Sequence, residues 1–262
     1  EQWITEGLQA SRERWPGIAG GLRHKLLEIR VLEKNWPAVA AIQAEEFVRG
    51  PSRETFTECK KAAGRIKAWP QVRRCLLDYL EKGELPSRQT SWPLPETSLD
   101  APETEPKDRF PMVDQLIDIA ILEKKPAQVL RWYDRPPKNR LGWRGVDDDE
   151  IAEAVQTHAP DRAVAIWKKK AEGLIARVQP SAYQQAAKYL RKAAPVMVRQ
   201  KKKKQWDDYL RGLRETHARK RRLMEILDGL DGEPIVKKAL RKTATTSGRS
   251  RNRWVTRMSK RR

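Results

Sequence analysis

The chain is poor in the residues that do chemistry. It has two cysteines and three histidines in 262 residues. Cys59 and Cys75 are too few for a disulfide framework, and sixteen residues apart they lack the paired spacing of a structural zinc site. Both fall on stripes of helical periodicity, which reads as two buried free thiols of a reducing compartment, with the cytoplasm as the expected location. His24, His158 and His217 are scattered, and there is no G-x-x-x-x-G-K-[ST], H-E-x-x-H or G-x-S-x-G motif. The adjacent acids Glu45-Glu46 and Asp207-Asp208 point to different sides of a helix and cannot share a metal. The chain therefore does not read as an enzyme, and no catalytic residue, metal, cofactor or small-molecule substrate is expected.

Long apolar runs are also missing. No stretch approaches the roughly 18 apolar residues of a membrane span, so no membrane partner is expected. The opening EQWITEGLQA has neither a basic n-region nor an apolar h-region, so it does not read as a signal peptide. The chain begins with Glu1 rather than Met, and reads as a piece of a longer or processed chain. Sustained period-2 alternation is absent too, as is any Asn-Gly or Asp-Gly hairpin between β-branched runs, which leaves an all-α fold.

What the chain does have is helical periodicity and segregated charge. Ala163, Ile166, Trp167, Leu174 and Val178 share one face of a helix. Tyr183, Ala186, Ala187, Leu190, Ala194 and Met197 share a face of the next. Trp206, Leu210, Leu213, Met224 and Leu227 mark a third, longer helix. Ser181 with Gln184 has capping-box spacing, Asp161 after Pro160 reads as an N-cap, and Asp147 to Glu150 place negative charge at a helix start. That acidic run lacks the Gly and distal Glu of a calcium loop. Gly50-Pro51, Gly83, Pro136-Pro137, Gly142, Gly145, Pro160 and Pro180 separate the periodic segments.

A weak repeat runs through these segments. Residues 31–39 (VLEKNWPAV) resemble residues 121–129 (ILEKKPAQV), and residues 67–72 (KAWPQV) resemble the second half of the first. Trp36 and Trp69 are 33 apart, and Trp132 and Trp167 are 35 apart. A period near 34 is that of tetratricopeptide-like helical hairpins, in which each hairpin buries its apolar face on its neighbour. The Trp-Pro pairs should begin helices, with the indole wedged between them. The expected organisation is a helical-hairpin solenoid in two blocks. Residues 1–83 form N-terminal repeats, and 84–111 a Pro-rich linker or strap with Trp92 as its anchor. Residues 112–233 form C-terminal repeats, and 234–262 a basic tail.

Part of the second block is similar to a known family. The segments are RAVAIW at 162–167, LIAR at 174–177, AYQQAAKYLRK at 182–192, WDDYL at 206–210 and HARKRRLM at 217–224. Together they resemble the helical C-terminal region of bacterial SWIM zinc-finger proteins. Residues 30–83 resemble the preceding repeats of those proteins more loosely. The resemblance implies an all-helical, repeat-like scaffold that handles DNA or protein partners. That family's zinc module needs two closely spaced Cys, then a later Cys and His, and Cys59 and Cys75 cannot supply it. No zinc is carried over.

The charge is lopsided. Residues 161–262 hold 30 Lys/Arg against 9 Asp/Glu, whereas residues 1–160 hold 25 against 26. So steep a field recruits a polyanion, usually nucleic acid, by releasing condensed counterions. The candidate residues come in three blocks. Lys201, Lys202, Lys203 and Lys204 precede the long helix, and Arg219, Lys220, Arg221 and Arg222 lie within it, after Arg211 and Arg214. The tail carries Lys237, Lys238, Arg241, Lys242, Arg249, Arg251, Arg253, Trp254, Arg257, Lys260, Arg261 and Arg262, in which Trp254 offers base stacking among phosphate-binding cations. Secondary candidates are Arg135, Lys138, Arg140, Trp143 and Arg144 in a Pro-stiffened loop. The sequence thus points to a scaffold for DNA or RNA, a subunit among other protein subunits. The competing expectations are a solenoid adaptor for an acidic protein and, behind it, a protein of anionic membrane surfaces.

Overall fold

Three-residue reversals set the architecture. The computed structural model describes residues 16–97, 109–135 and 146–230, with 6, 7 and 10 ahead of them. Eleven α-helices and no strands occur among these residues. Before the Pro-rich segment these are α1 (Pro16–Leu32), α2 (Trp36–Arg49), α3 (Arg53–Arg65) and α4 (Trp69–Lys82). After it they are α5 (Val113–Leu122), α6 (Pro126–Tyr133), α7 (Asp148–Val155), α8 (Pro160–Ala176), α9 (Pro180–Arg199), α10 (Lys203–Thr216) and α11 (Arg221–Asp228). The all-α expectation holds.

Most of the helices have a readable start, whereas α5, α10 and α11 begin with neither a side-chain cap nor a Pro. Trp36-Pro37 and Trp69-Pro70 open α2 and α4, and Pro occupies the first turn of α6, α8 and α9, where a missing N–H costs nothing. Asn35 caps α2 through its side chain, and Ser52 with Thr55 makes a full capping box on α3. Asp147 accepts from Asp149 N at the head of α7. Two expected caps move. The cap of α8 is Ala159, with Asp161 inside the first turn, and that of α9 is Gln179, so Ser181 and Gln184 make no capping box. In both cases Pro takes the first helical position and moves the cap two residues upstream.

The helix ends are more uniform. After α1, α3, α5 and α9 the chain turns through one residue in left-handed backbone: Lys34, Lys67, Lys124 and Lys201, with φ of 57°, 58°, 55° and 58°. Each turn closes with a Schellman pair. In the first, Lys34 N donates to Val31 O and Asn35 N to Arg30 O, both at 3.0 Å. Residues 67–68, 124–125 and 201–202 repeat it. The similar segments at 31–39, 67–72 and 121–129 are therefore one turn used three times. The tryptophans do not share a role: Trp36 and Trp69 open helices, Trp132 sits in the last turn of α6, and Trp167 lies in the middle of α8.

Packing follows the chain. Each helix from α1 to α9 touches the next, and α2 reaches α4, α3 reaches α5, α5 reaches α7 and α9 reaches α11. One apolar core runs from Val39 to Leu227 and includes both sides of the Pro-rich segment. Phe56 packs on Phe47 at 5.7 Å and edge-on to Trp69 at 5.0 Å. Trp167, only 1% exposed, fills the second half. Polar links cross the helices as well. Arg53 at the start of α3 donates to Asp118 of α5 at 3.0 Å and to Glu150 of α7, so one guanidinium joins three helices. Burial raises the Asp118 carboxyl and Arg53 opposes that. Cys59 and Cys75 are buried and free, and burial pushes the Cys59 thiol up to about 12, which makes Cys59 an inert core thiol.

Residues 84–97 are laid against α2 and α4. Leu85, Pro86 and Leu94 are buried, and Gln89 donates to Cys75 O at 3.2 Å. Trp92 is half-buried against Ala44 and Val48, the anchoring role expected of it. Thr97 donates to Glu45 Oε1, while Glu45 Oε2 has no hydrogen-bond partner and lies 4.0 Å from Arg49 Nη2. Burial pushes the Glu45 carboxyl up to about 7, against the opposing Thr97 bond and Arg49 charge. On the far side of the segment, Phe110 lies over Gly83, whose φ is +83° and whose added Cβ would come within 2.6 Å of Phe110 Cδ2.

Two left-handed positions should respond oppositely. Gly83→Ala adds backbone strain and a clash with Phe110, and should lose about 2–4 kcal/mol in chemical denaturation. Lys67→Gly relieves strain at an exposed turn and should gain about 0.5–1 kcal/mol.

Glu45 makes a separate prediction. Its folded-state value lies above the unfolded one, so the folded chain holds the proton more tightly. That stability is full below pH about 4.5 and is lost as pH rises through about 7. Stability should fall by about 2–3 kcal/mol across this window, and Glu45→Gln should flatten the pH profile of the denaturation midpoint there.

Candidate nucleic-acid interface

The basic excess is already present in the packed helices. Residues 161–230 carry 19 Lys/Arg against 7 Asp/Glu, a net of +12. The fold sorts these cations into two kinds, and the sorting decides which are available to a ligand.

Five of the ten candidates here already have a partner within the fold. Lys202 pairs with Asp161 at the start of α8 at 2.5 Å, and Arg211 with Asp208 at 3.1 Å. Arg214 Nε meets Asp228 at 3.3 Å while its Nη2 donates to Leu227 O, tying α10 to α11. Lys220 donates to Ile175 O at the end of α8, and Arg222 pairs with Glu225 within α11. The other five, Lys201, Lys203, Lys204, Arg219 and Arg221, are exposed and have no ion pair among the described residues.

The expected long third helix is two helices, α10 and α11, with a turn at 217–220. A straight helix would carry its apolar stripe past the core. The break lets Leu210 and Leu213 pack first, and Leu223 and Leu227 then reach α9. Arg219–Arg222 therefore form a turn and helix start, not a helix interior. The 14 residues of α10 rise about 21 Å, so the two free clusters stand at its opposite ends. Arg199 joins the first cluster as the exposed last residue of α9. Arg177 joins the second, because the Lys220 bond to Ile175 O draws that turn beside the end of α8. Neither was singled out from sequence. A basic residue in the last turn of a helix was the available signal for Arg199, whereas the position of Arg177 depends on a contact 45 residues away.

The aromatic side chains of α10 are not a free stacking platform. Lys168 of α8 sits 3.9 Å from the centre of the Tyr209 ring and 5.7 Å from that of Trp206. Burial lowers the Lys168 pKa and raises that of Tyr209, whose hydroxyl donates to Glu172 at 2.9 Å. The acidic start of α7 is likewise internal. Asp147 meets Lys170, Asp149 accepts from Trp167 Nε1 at 2.8 Å and pairs with Lys192, and Glu150 meets Arg53.

Of the secondary candidates, Arg135 stacks over Trp132 at 4.3 Å with its Nη2 3.9 Å from Glu81, which fastens α6 to α4. Lys138, Arg140, Trp143 and Arg144 lie outside the described residues, as does the whole tail from Lys237 through Arg262. Among the described residues no cluster of His, Cys, Asp or Glu is placed to hold a metal ion, and no helix is long and apolar enough to cross a membrane. Comparison with family models, curated proteins and solved structures finds no match.

The sorting is testable through stability alone. Changing Lys203, Lys204, Arg219 or Arg221 to Gln should move the unfolding free energy by less than about 0.5 kcal/mol each. Arg214→Ala removes two links between α10 and α11 and should cost about 1 kcal/mol.

Proposed function

We propose that this protein is a non-enzymatic helical scaffold that binds nucleic acid through its basic C-terminal part, as a subunit or domain of a larger nucleoprotein assembly. The observation that carries this reading is the charge segregation, +21 after residue 160 against −1 before it, together with exposed cations at both ends of α10 that no acid neutralises. A surface field left unbalanced by the fold favours a polyanion, and about five free contacts are enough for strongly salt-dependent binding. The packing of each helix on its successor, with α2 reaching α4, α3 reaching α5, α5 reaching α7 and α9 reaching α11, supports a helical-hairpin solenoid in two blocks as the framework. The likeness to the helical region of SWIM zinc-finger proteins belongs to this same reading. So does a cytoplasmic setting, for which two buried reduced thiols speak.

A second reading, an adaptor for an acidic protein, has one observation in its favour. α1 leaves Ile18, Val31 and Leu32 exposed, the last at 82%, on the near-neutral block.

Titration of the full chain with labelled duplex DNA, single-stranded DNA and RNA across a salt series separates the two. The scaffold reading expects log K to fall with log salt at a slope of about −4 to −5 on duplex DNA for five contacted phosphates. Lys201/Lys203/Lys204/Arg219/Arg221→Gln combined with removal of residues 237–262 should abolish tight binding. Weak, salt-insensitive binding by the intact chain would remove this reading and leave the adaptor.

A further inference from the structure

The lysines of the inter-helix turns carry the basic surface from Lys201 back into residues 1–160, whose net charge is near zero. Among the described residues five non-glycine positions have positive φ: Lys34, Lys67, Lys124, Val178 and Lys201. Four of the five are lysine, all four are exposed, and none has an ion pair among the described residues. Left-handed backbone is the position where glycine is ordinarily the least strained choice. The chain uses glycine in this way at Gly83. Repeated use of a strained lysine, where a smaller residue would serve the turn better, points to the ammonium group itself.

The contacts put these turns at one end of the helix stack. Arg65, at the end of α3, lies 3.9 Å over the ring of Trp36, at the start of α2, so the turns of Lys34 and Lys67 are neighbours. Arg73, in the second turn of α4, pairs with Glu123 at 2.5 Å, which brings the turn of Lys124 beside that of Lys67. α7 begins beside the start of α3, through Glu150 and Arg53, and runs back toward the same end. Lys202 then pairs with Asp161 at the start of α8, so the turn of Lys201 follows in the same direction. Val178, the exception, lies in the turn at the other end of α8.

We infer that Lys34, Lys67, Lys124 and Lys201 form a rim that tracks the phosphate backbone of a bound nucleic acid, extending its path from the C-terminal clusters along the end of the stack. This rests on the nucleic-acid reading above and adds the N-terminal block to the footprint. Each lysine acts as a point charge on a phosphate and carries no base preference. A cation near the last carbonyls of a helix also meets the helix dipole favourably, and a purely structural role of that kind would leave ligand binding untouched.

The test compares the intact chain with Lys34→Gly/Lys67→Gly/Lys124→Gly and with a charge-matched control, Lys60→Gln/Lys61→Gln/Arg88→Gln. Duplex DNA, single-stranded DNA and RNA are titrated across salt. Glycine preserves the turns, and a thermal melt of the triple variant at or above that of the parent certifies its fold. The expected result is weaker binding, with a salt slope on duplex DNA shallower by about 2 to 3 than that of the parent. The control should retain the parent slope within about 1. A glycine variant that binds with the parent slope, or no more weakly than the control, overturns the rim while leaving the scaffold reading in place. A parent chain with no salt-dependent binding removes both.

Discussion

The fold turns on the backbone geometry of its reversals. A helix that ends in a Schellman pair reverses the chain within three residues, so the next helix must pack against it. Here the same device follows α1, α3, α5 and α9, each time with a lysine in the left-handed position. Tight reversals leave little freedom in how neighbouring helices meet, and the apolar stripes are forced into one continuous core. The strain of those turns is offset by burial of Phe47, Phe56, Ile117, Trp167 and Leu190 on either side of them.

Charge is distributed to suit this framework. Partly buried ion pairs link helices far apart in sequence, as Arg53 does with Asp118 and Glu150, and Arg73 with Glu123. Those pairs consume acids. Up to residue 160 the acids suffice. In residues 161–230, 19 cations meet 7 acids, and cations are left over at both ends of α10. A free cation on a rigid helix end costs little in the folded state and loses little entropy on binding. The same arrangement that stabilises the stack therefore presents a polyanion with fixed positive points.

Much of this was legible residue by residue. The all-helical class, the Trp-Pro helix starts, the acidic head of α7, the buried thiols and the anchoring by Trp92 all follow from local rules. The caps of α8 and α9 were misplaced because a proline at the first helical position outcompeted a polar side chain one residue later. The break after Thr216 was missed for a different reason. No glycine or proline marks it, and only the need of Leu223 and Leu227 to reach α9 produces it. Pro195 is the converse case. It sits inside α9, where local rules would end the helix, yet Ala193, Val196 and Met197 are buried on both sides and carry the helix through.

The sequence by itself determined the all-helical class, the inventory of charge and its imbalance along the chain, because each depends on residue type and spacing over a few turns. The tertiary structure alone decided which cations are free. Lys220 and Arg214 are as basic as Arg219 and Arg221, but a carbonyl 45 residues away claims the first and a carboxylate 14 residues away the second. It also decided that lysines at 34, 67, 124 and 201 face one end, since only helices packed back on one another can bring such distant turns together.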